Sequence, residues 1–371
     1  MIKVLVVFGT RPEAIKMAPL FLELQKEEGI SPVLCVTAQH REMLDQVLDL
    51  FELKPDYDLD IMKPNQTISQ ITSNVIMGIE GVLIEEKPDI VLVHGDTTTT
   101  FAAALAAFYQ KISVGHVEAG LRTYNKYSPY PEEMNRILTG RIADYHFAPT
   151  ERNRQNLLNE SVPSANIFVT GNTVVDALLT VAEKPYVFED KVLKGVDFEN
   201  KRVITVTCHR RENLGDNMVN IFSAIRDIAL EFDDVEIIYP VHMNPKVRSI
   251  ADDILADVKG VHLIEPLNYQ PFVNLMAKSY LIVTDSGGMQ EEAPSLGKPV
   301  LVVRRETERP EAIEAGTVKL AGVEKESIYK MIKMLLSNKE EYDAMSHASN
   351  PYGDGRSSVR IVDIIRNIGK G

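Results

Sequence analysis

Short apolar runs alternate along the whole chain with longer stretches in which apolar residues recur every three to four positions. In the first half the runs fall at 2–8, 33–37, 90–93, 113–117, 145–148 and 167–170. In the second they fall at 203–207, 235–239, 261–264, 281–284, 300–303 and 318–320. Most are apolar throughout. A strand with one wet face alternates, whereas a continuous run suits a parallel strand buried on both faces. Strand, helix, strand repeated twice over predicts two doubly wound α/β domains. The divide is expected near Gly171-Asn172-Thr173 or in the more polar stretch 183–200, which gives domains of 1–171 and 172–355. A cluster of turn formers, NPYGDG at 350–355, precedes a stretch with Val359, Ile361, Ile364 and Ile365 apolar. That pattern predicts a last helix, within 356–371, that returns to the first domain.

Composition narrows the class. The 371 residues exceed what one core comfortably supports. A net charge of −13 argues against a general nucleic-acid binder, which needs a basic face. No apolar run approaches the roughly 18–20 residues of a membrane span, so no membrane partner is expected. The start, MIKVLVVF, reads as a first strand rather than a secretory signal. Cys35 and Cys208, each inside an apparent strand, read as buried free thiols of a cytoplasmic protein.

The unusual residues cluster where strands end. FGTRPEAIK at 8–16 closes the first strand and opens a helix, with Arg11 at its start and Lys16 a turn later. HGDT at 94–97 and HVEAGLR at 116–122 each end a run in a carboxylate, Asp96 and Glu118. Asp96 also suits a helix N-cap. If the two strands are neighbours, about 4.8 Å apart, their ends bring the acids together as candidates for acid/base work. PEEMNR at 131–136 adds Glu132 and Glu133, which a helix dipole alone would favour; the company of the other acids makes Glu132 a third candidate. HRREN at 209–213 places His209 and Arg210 after the first strand of the second half, and RRETERPE at 304–311 contains Arg309. TDSGGMQEE at 284–292 supplies Ser286, Gly287 and Gly288 at a strand-to-helix turn suited to a phosphate, with Glu291 and Glu292 one turn on, where a carboxylate suits ribose hydroxyls. Asp56-Tyr57-Asp58-Leu59-Asp60 has metal-like spacing but lacks the glycine and distal glutamate of a calcium loop, so no metal is expected.

Two Rossmann-like domains facing across a cleft are the GT-B architecture, an α/β fold. The motifs at 8–16, 94–97, 116–122, 131–136, 209–213, 285–292 and 350–355 together resemble the non-hydrolysing UDP-N-acetylglucosamine 2-epimerases. The resemblance runs from the first strand to the last helix. It implies interconversion of UDP-N-acetylglucosamine and UDP-N-acetylmannosamine. UDP is eliminated to leave 2-acetamidoglucal and then re-added, without a metal or redox cofactor, to supply cell-surface polysaccharide. Asp96, Glu118 and Glu132 match the family's carboxylates, and His209 the residue near the diphosphate. Arg11 and Lys16 match the family's basic substrate-binding positions, and Arg210, beside His209 at a strand end, is a further candidate ligand contact. Ser286, Gly287 and Gly288 match the diphosphate loop in a UDP-binding second domain. Glu292 matches the ribose contact, Phe272 a residue near uracil, and Arg309 a further ligand contact. Gln39 and His40 fall in the stretch of a second, activating ligand site, and a homodimer is expected by resemblance. A GT-B glycosyltransferase or a hydrolysing epimerase would share the nucleotide half, but a simple transferase has little use for the acid trio; a non-catalytic nucleotide-sugar sensor would bind the ligand and leave the C2 proton alone.

Overall fold

The computed structural model describes residues 1–38, 41–61, 63 and 65–368. Gln39 and His40 lie outside the described residues. The chain divides into two compact units, Met1–Ala177 with Tyr352–Gly371, and Leu178–Pro351.

The first unit carries a parallel sheet of β1 (Ile2–Phe8), β2 (Ile30–Val36), β3 (Tyr57–Asp58), β4 (Ile90–His94), β5 (Ser113–Val117), β6 (Tyr145–Ala148) and β7 (Ile167–Val169). Their order in space is β3-β2-β1-β4-β5-β6-β7. The second carries β8 (Arg202–Thr207), β9 (Val235–Pro240), β10 (Val261–Ile264), β11 (Leu281–Thr284), β12 (Val300–Val302) and β13 (Val318–Leu320). Their order is β10-β9-β8-β11-β12-β13. In each unit the chain builds outward from the first strand, then returns to its other side. The two points of return lie between β1 and β4 and between β8 and β11. Helices diverge there onto opposite faces, which opens a crevice beyond the carboxyl ends of the strands.

The cores explain the apolar runs. Leu5, Val7, Val91, Val93 and Val114 bury against helices Ile68–Glu86 and Thr98–Tyr109, and the alanines of the latter allow close approach. In the second unit, Ile204, Val206, Val283 and Leu301 bury against helices Asp216–Glu231 and Lys325–Ser337. Cys35 and Cys208 are buried free thiols, although Cys208 sits one residue beyond β8 rather than within it. The two-residue strand β3, at the sheet edge, is not signalled by any apolar run.

Helix Ser357–Ile368 belongs to the first unit. Asp176 caps its start: its Oδ1 accepts from Ser358 N–H at 2.7 Å and its Oδ2 from Ser357 N–H at 3.2 Å. Gly171, with φ of +88°, fits where the outgoing and returning chain segments touch. A Cβ there would stand 2.5 Å from Ser357 Oγ and 3.3 Å from Tyr352 O.

Candidate functional site

In the first unit the site grows from the point of return between β1 and β4. Thr10 caps helix Arg11–Lys26 and forms a capping box with Glu13. Glu13 is buried and gathers donors from two turns. Its Oε2 accepts from Thr10 N–H at 2.9 Å and Thr10 Oγ1 at 2.7 Å, and its Oε1 from Thr97 Oγ1 at 2.8 Å. It thus ties the turn after β1, with half-buried Arg11, to the turn after β4.

β4 and β5 are paired, with His94 opposite Val117, so the turns bearing Asp96 and Glu118 are neighbours. Asp96 is not the helix cap. Thr97 is: its Oγ1 accepts from Thr100 N–H at 3.1 Å. The Asp96 carboxylate instead receives Arg136 Nη2. The other arm of Arg136 donates to Glu133 at 3.0 Å. Glu133 is fully buried and accepts from Thr123 N–H at 3.0 Å and Tyr124 N–H at 2.8 Å. Glu133 is therefore a structural acid, whereas half-buried Glu132 opens helix Glu132–Ile142. His116 Nε2 lies 2.7 Å from Gly95 O, and burial pushes its pKa down to about 3. A neutral ring donating Nε2–H fixes the turn that presents Asp96.

Glu118 adopts a left-handed backbone, φ +60°, which a non-glycine residue rarely takes without a local reason. Its Oε2 receives the Lys16 ammonium and Asn172 Nδ2–H, the latter at 2.9 Å. His94 Nε2 lies 3.7 Å from the same oxygen. Burial alone would raise the pKa of Glu118, but Lys16 and the hydrogen bonds outweigh it and hold the carboxyl well below the usual range. Burial pushes His94 to about 4, so it is neutral near pH 7 and Lys16 carries the balancing charge. Lys16, expected at the ligand, thus lies on a candidate catalytic carboxylate.

In the second unit β8 pairs with β11, Thr207 opposite Thr284, and the residues beyond both ends form the site. Asp285 is fully buried and organises it. Its Oδ2 accepts from His209 N–H at 2.9 Å, Arg210 N–H at 2.8 Å and Asn213 Nδ2–H at 3.0 Å. His209 Nδ1 lies 3.6 Å from Asp285 Oδ1, and its ring stacks on His242 at 5.3 Å. Burial lowers the pKa of His209 against the pull of Asp285, which makes the ring harder to charge than a free imidazole.

Ser286 precedes the short helix Gly287–Glu292, and among the described residues no side chain caps that helix. Its first amides, with Gly287 and Gly288 adding no side chain, suit an anion. Arg210 pairs with Glu308 at 2.9 Å, and Arg309 Nε with buried Glu291. Glu292 is half-buried on the same helix, and Phe272 is half-buried in the first turn of helix Tyr269–Lys278. In the metal-like stretch, Asp56 Oδ2 accepts from Leu34 N–H at 2.8 Å, a structural task. Among the described residues no group of three or more His, Cys, Asp or Glu could hold a metal ion. None of their helices is long and apolar enough to cross a membrane.

The sequence thus located the strand-end residues, but Glu13, Arg136, Asn172 and Asp285 carried no expected role. Their signal was present only as polar letters inside the quoted motifs or beside the expected domain divide.

Two doubly wound parallel sheets with polar residues at their points of return define an α/β protein of GT-B type. The comparisons narrow this to one family of enzymes. Residues 22–366 match the family model described as UDP-N-acetylglucosamine 2-epimerase. The UDP-N-acetylglucosamine 2-epimerase of Bacillus subtilis (strain 168) is 60% identical over 362 residues, covering 98% of this chain and 94% of the relative. That of Escherichia coli K12 is 56% identical over 371 residues, covering 98% of each. The crystal structure of UDP-GlcNAc 2-epimerase from Neisseria meningitidis bound to UDP-GlcNAc is 56% identical, with a TM-score of 0.85, covering 99% of this chain and 100% of that one. The chain belongs to the UDP-N-acetylglucosamine 2-epimerase family, a family of isomerases.

Proposed function

We propose that this protein reversibly converts UDP-N-acetylglucosamine to UDP-N-acetylmannosamine by eliminating and re-adding UDP, as a supply of precursors for cell-surface polysaccharide. In the first half-reaction a base takes the C2 proton. The C2–H electrons form the C1=C2 bond, the C1–O bond breaks, and UDP leaves with that bond's electron pair. The remaining sugar is 2-acetamidoglucal. In the second, UDP oxygen returns to C1 and a proton is delivered to the opposite face of C2. Inversion therefore needs acid/base groups on two faces.

The observation that supports this reading most directly is the pairing of β4 with β5, which makes neighbours of the turns bearing Asp96 and Glu118. These two acids have different partners: Lys16 and Asn172 for Glu118, Arg136 for Asp96. Distinct environments are what separate the proton affinities of two carboxylates. Glu132 is the third acid in this reading. Arg11 meets the sugar nucleotide from the first unit; Lys16 serves the substrate through Glu118. From the second unit, the amides following Ser286, together with His209 and Arg210, receive the diphosphate. Preorganised donors of this kind stabilise the charge of a leaving group without reorganising. Glu292 takes ribose hydroxyls, Phe272 lies near uracil, and Arg309 adds a ligand contact while steadying Glu291.

Proton NMR of UDP-N-acetylglucosamine with the protein in D₂O tests the reading. The expected result is UDP-N-acetylmannosamine with deuterium at C2. Free UDP with free N-acetylmannosamine would instead mean a hydrolysing enzyme. Binding without exchange at C2, even with added UDP-N-acetylmannosamine, would sink the proposal.

A further inference from the structure

Glu118 is held through one oxygen. The Lys16 ammonium and Asn172 Nδ2–H both meet Oε2. The other oxygen, Oε1, lies toward the turn after β4, 3.6 Å from where a Cβ on Gly95 would stand. A carboxylate whose one oxygen has two donors cannot rotate freely, so its second oxygen faces a fixed direction.

Asn172 is itself fixed on every side. It is buried, with 3% of its surface exposed. Its backbone N–H donates to Tyr352 O at 2.6 Å. Its Oδ1 accepts from Val174 N–H at 3.1 Å at the opening of helix Thr173–Ala182. The amide is thereby oriented: oxygen to the helix, nitrogen to Glu118. A flipped amide would lose both bonds.

We propose that Asn172 is a positioning residue for catalysis: with Lys16 it clamps Oε2 of Glu118, so that Oε1 is the oxygen that exchanges a proton with C2 of the sugar. The inference rests on the epimerase reading and deepens it. Asn172 touches no reacting atom. It acts by fixing the plane of the carboxylate and by favouring its ionised form.

The Asn172→Asp variant separates this role from a merely structural one. Aspartate keeps an oxygen for Val174 N–H and the same shape, but turns the donor facing Glu118 into an acceptor. The expected result is a fall in kcat and in C2 deuterium exchange of about 10- to 100-fold, the scale of lost orientation in a catalytic group. KM should stay within about threefold. The acid limb of the kcat–pH profile should move to higher pH, because a second acid now faces Glu118 and raises its proton affinity. Among the described residues, the other titratable groups facing Glu118 are Lys16 from helix Arg11–Lys26 and His94 from β4. Neither changes in the variant. UDP affinity by calorimetry should be unaltered.

Wild-type kcat and pH profile in Asn172→Asp would overturn the inference. So would a loss of activity with an unmoved pH profile and a lowered thermal transition, which is the mark of a structural role. Should Asn172→Asp fail to fold, Asn172→Ser decides on kcat: its hydroxyl still serves Val174 N–H but is too short to reach Glu118. Absence of C2 exchange in the wild type would remove the epimerase reading itself, an outcome distinct from wild-type exchange undiminished in the variants.

Discussion

Replacing Lys16 with methionine tests the electrostatics of the first unit. The side chains of Lys16 and Glu118 are 20% and 12% exposed, so their ion pair is largely out of water. Removing one partner of such a pair leaves a buried charge uncompensated, at a cost of about 3–5 kcal/mol. Taking the lower end, a transition in a unit of this size should fall by roughly 6–12 °C. The pH dependence gives a sharper check. In the wild type the folded pKa of Glu118 lies below its unfolded value of 4.5. Its contribution is therefore complete above that value and is lost only as pH falls through the folded pKa. In Lys16→Met, burial acts with much less opposition and lifts the folded pKa above the unfolded one. The variant is then penalised at neutral pH and recovers as Glu118 becomes protonated. Calorimetric melts at pH 7.5 and pH 5 should show a deficit that shrinks at the lower pH. Adding Glu118→Gln should restore most of the loss, because a pair of neutral side chains leaves no charge buried. A deficit under about 1 kcal/mol at pH 7.5, or one that grows on acidification, would refute the reasoning.

The three histidines of the first sheet make a second prediction. Burial pushes His94 to about 4, His116 to about 3 and His146 to about 4, from 6.5. The unfolded chain therefore binds protons that the folded one refuses. Stability should fall between pH 6 and pH 4 by on the order of 4 kcal/mol per pH unit, less what the raised carboxyls of Glu13 and Asp176 return. Urea melts at stepped pH values check this, and a flat profile would count against it. Gly9→Ala would place a Cβ 2.1 Å from Thr37 Oγ1 and 2.8 Å from Thr99 Oγ1, so the strand end must move. A loss of about 1–3 kcal/mol in a denaturant melt is expected, with a larger proportional loss of activity. Burial pushes Cys35 up to about 12 and Cys208 well above its usual value. Neither thiol should react with a disulfide reagent in the native state at pH 8, and both should react in guanidinium. Asp285→Asn removes the charged acceptor from under His209 and Arg210; a loss of about 2–4 kcal/mol and weaker UDP binding by calorimetry are expected.

The sheets were legible because parallel strands buried on both faces leave unbroken apolar runs, and β1, β4, β5 and β11 lie where such runs stand. β3 was not, since two residues at an edge carry no periodicity. The start of β2 was missed for a related reason: Ser31 and Pro32 interrupt its apolar pattern. Within the site, strand ends fixed the neighbourhoods of Asp96, Glu118 and His209. Partners did not follow. Asp96 and Thr97 are both competent N-caps by residue type, and only geometry chose Thr97. Lys16 reads as a ligand contact from its place a turn past Arg11 and from the motif that contains it, a role its ion pair does not exclude. Its reach to Glu118, 102 positions distant, is not a local property. The same holds for Arg136 on Asp96 and for Asp285 beneath His209.

The return of helix Ser357–Ile368 to the first unit has a consequence for biosynthesis. The bonds from Asp176 to Ser357 and Ser358 span 181 and 182 positions. A chain made from its N-terminus reaches Asp176 long before its partners exist. The second unit, continuous from Leu178 to Pro351, is complete in sequence first. The first unit is thus the one whose folding is finished last, with a helical face exposed for the time needed to make about 180 residues. At about 5–20 residues per second that is roughly 10–40 seconds on the ribosome. The high sequence separation of these closing contacts makes them slow to form relative to local ones.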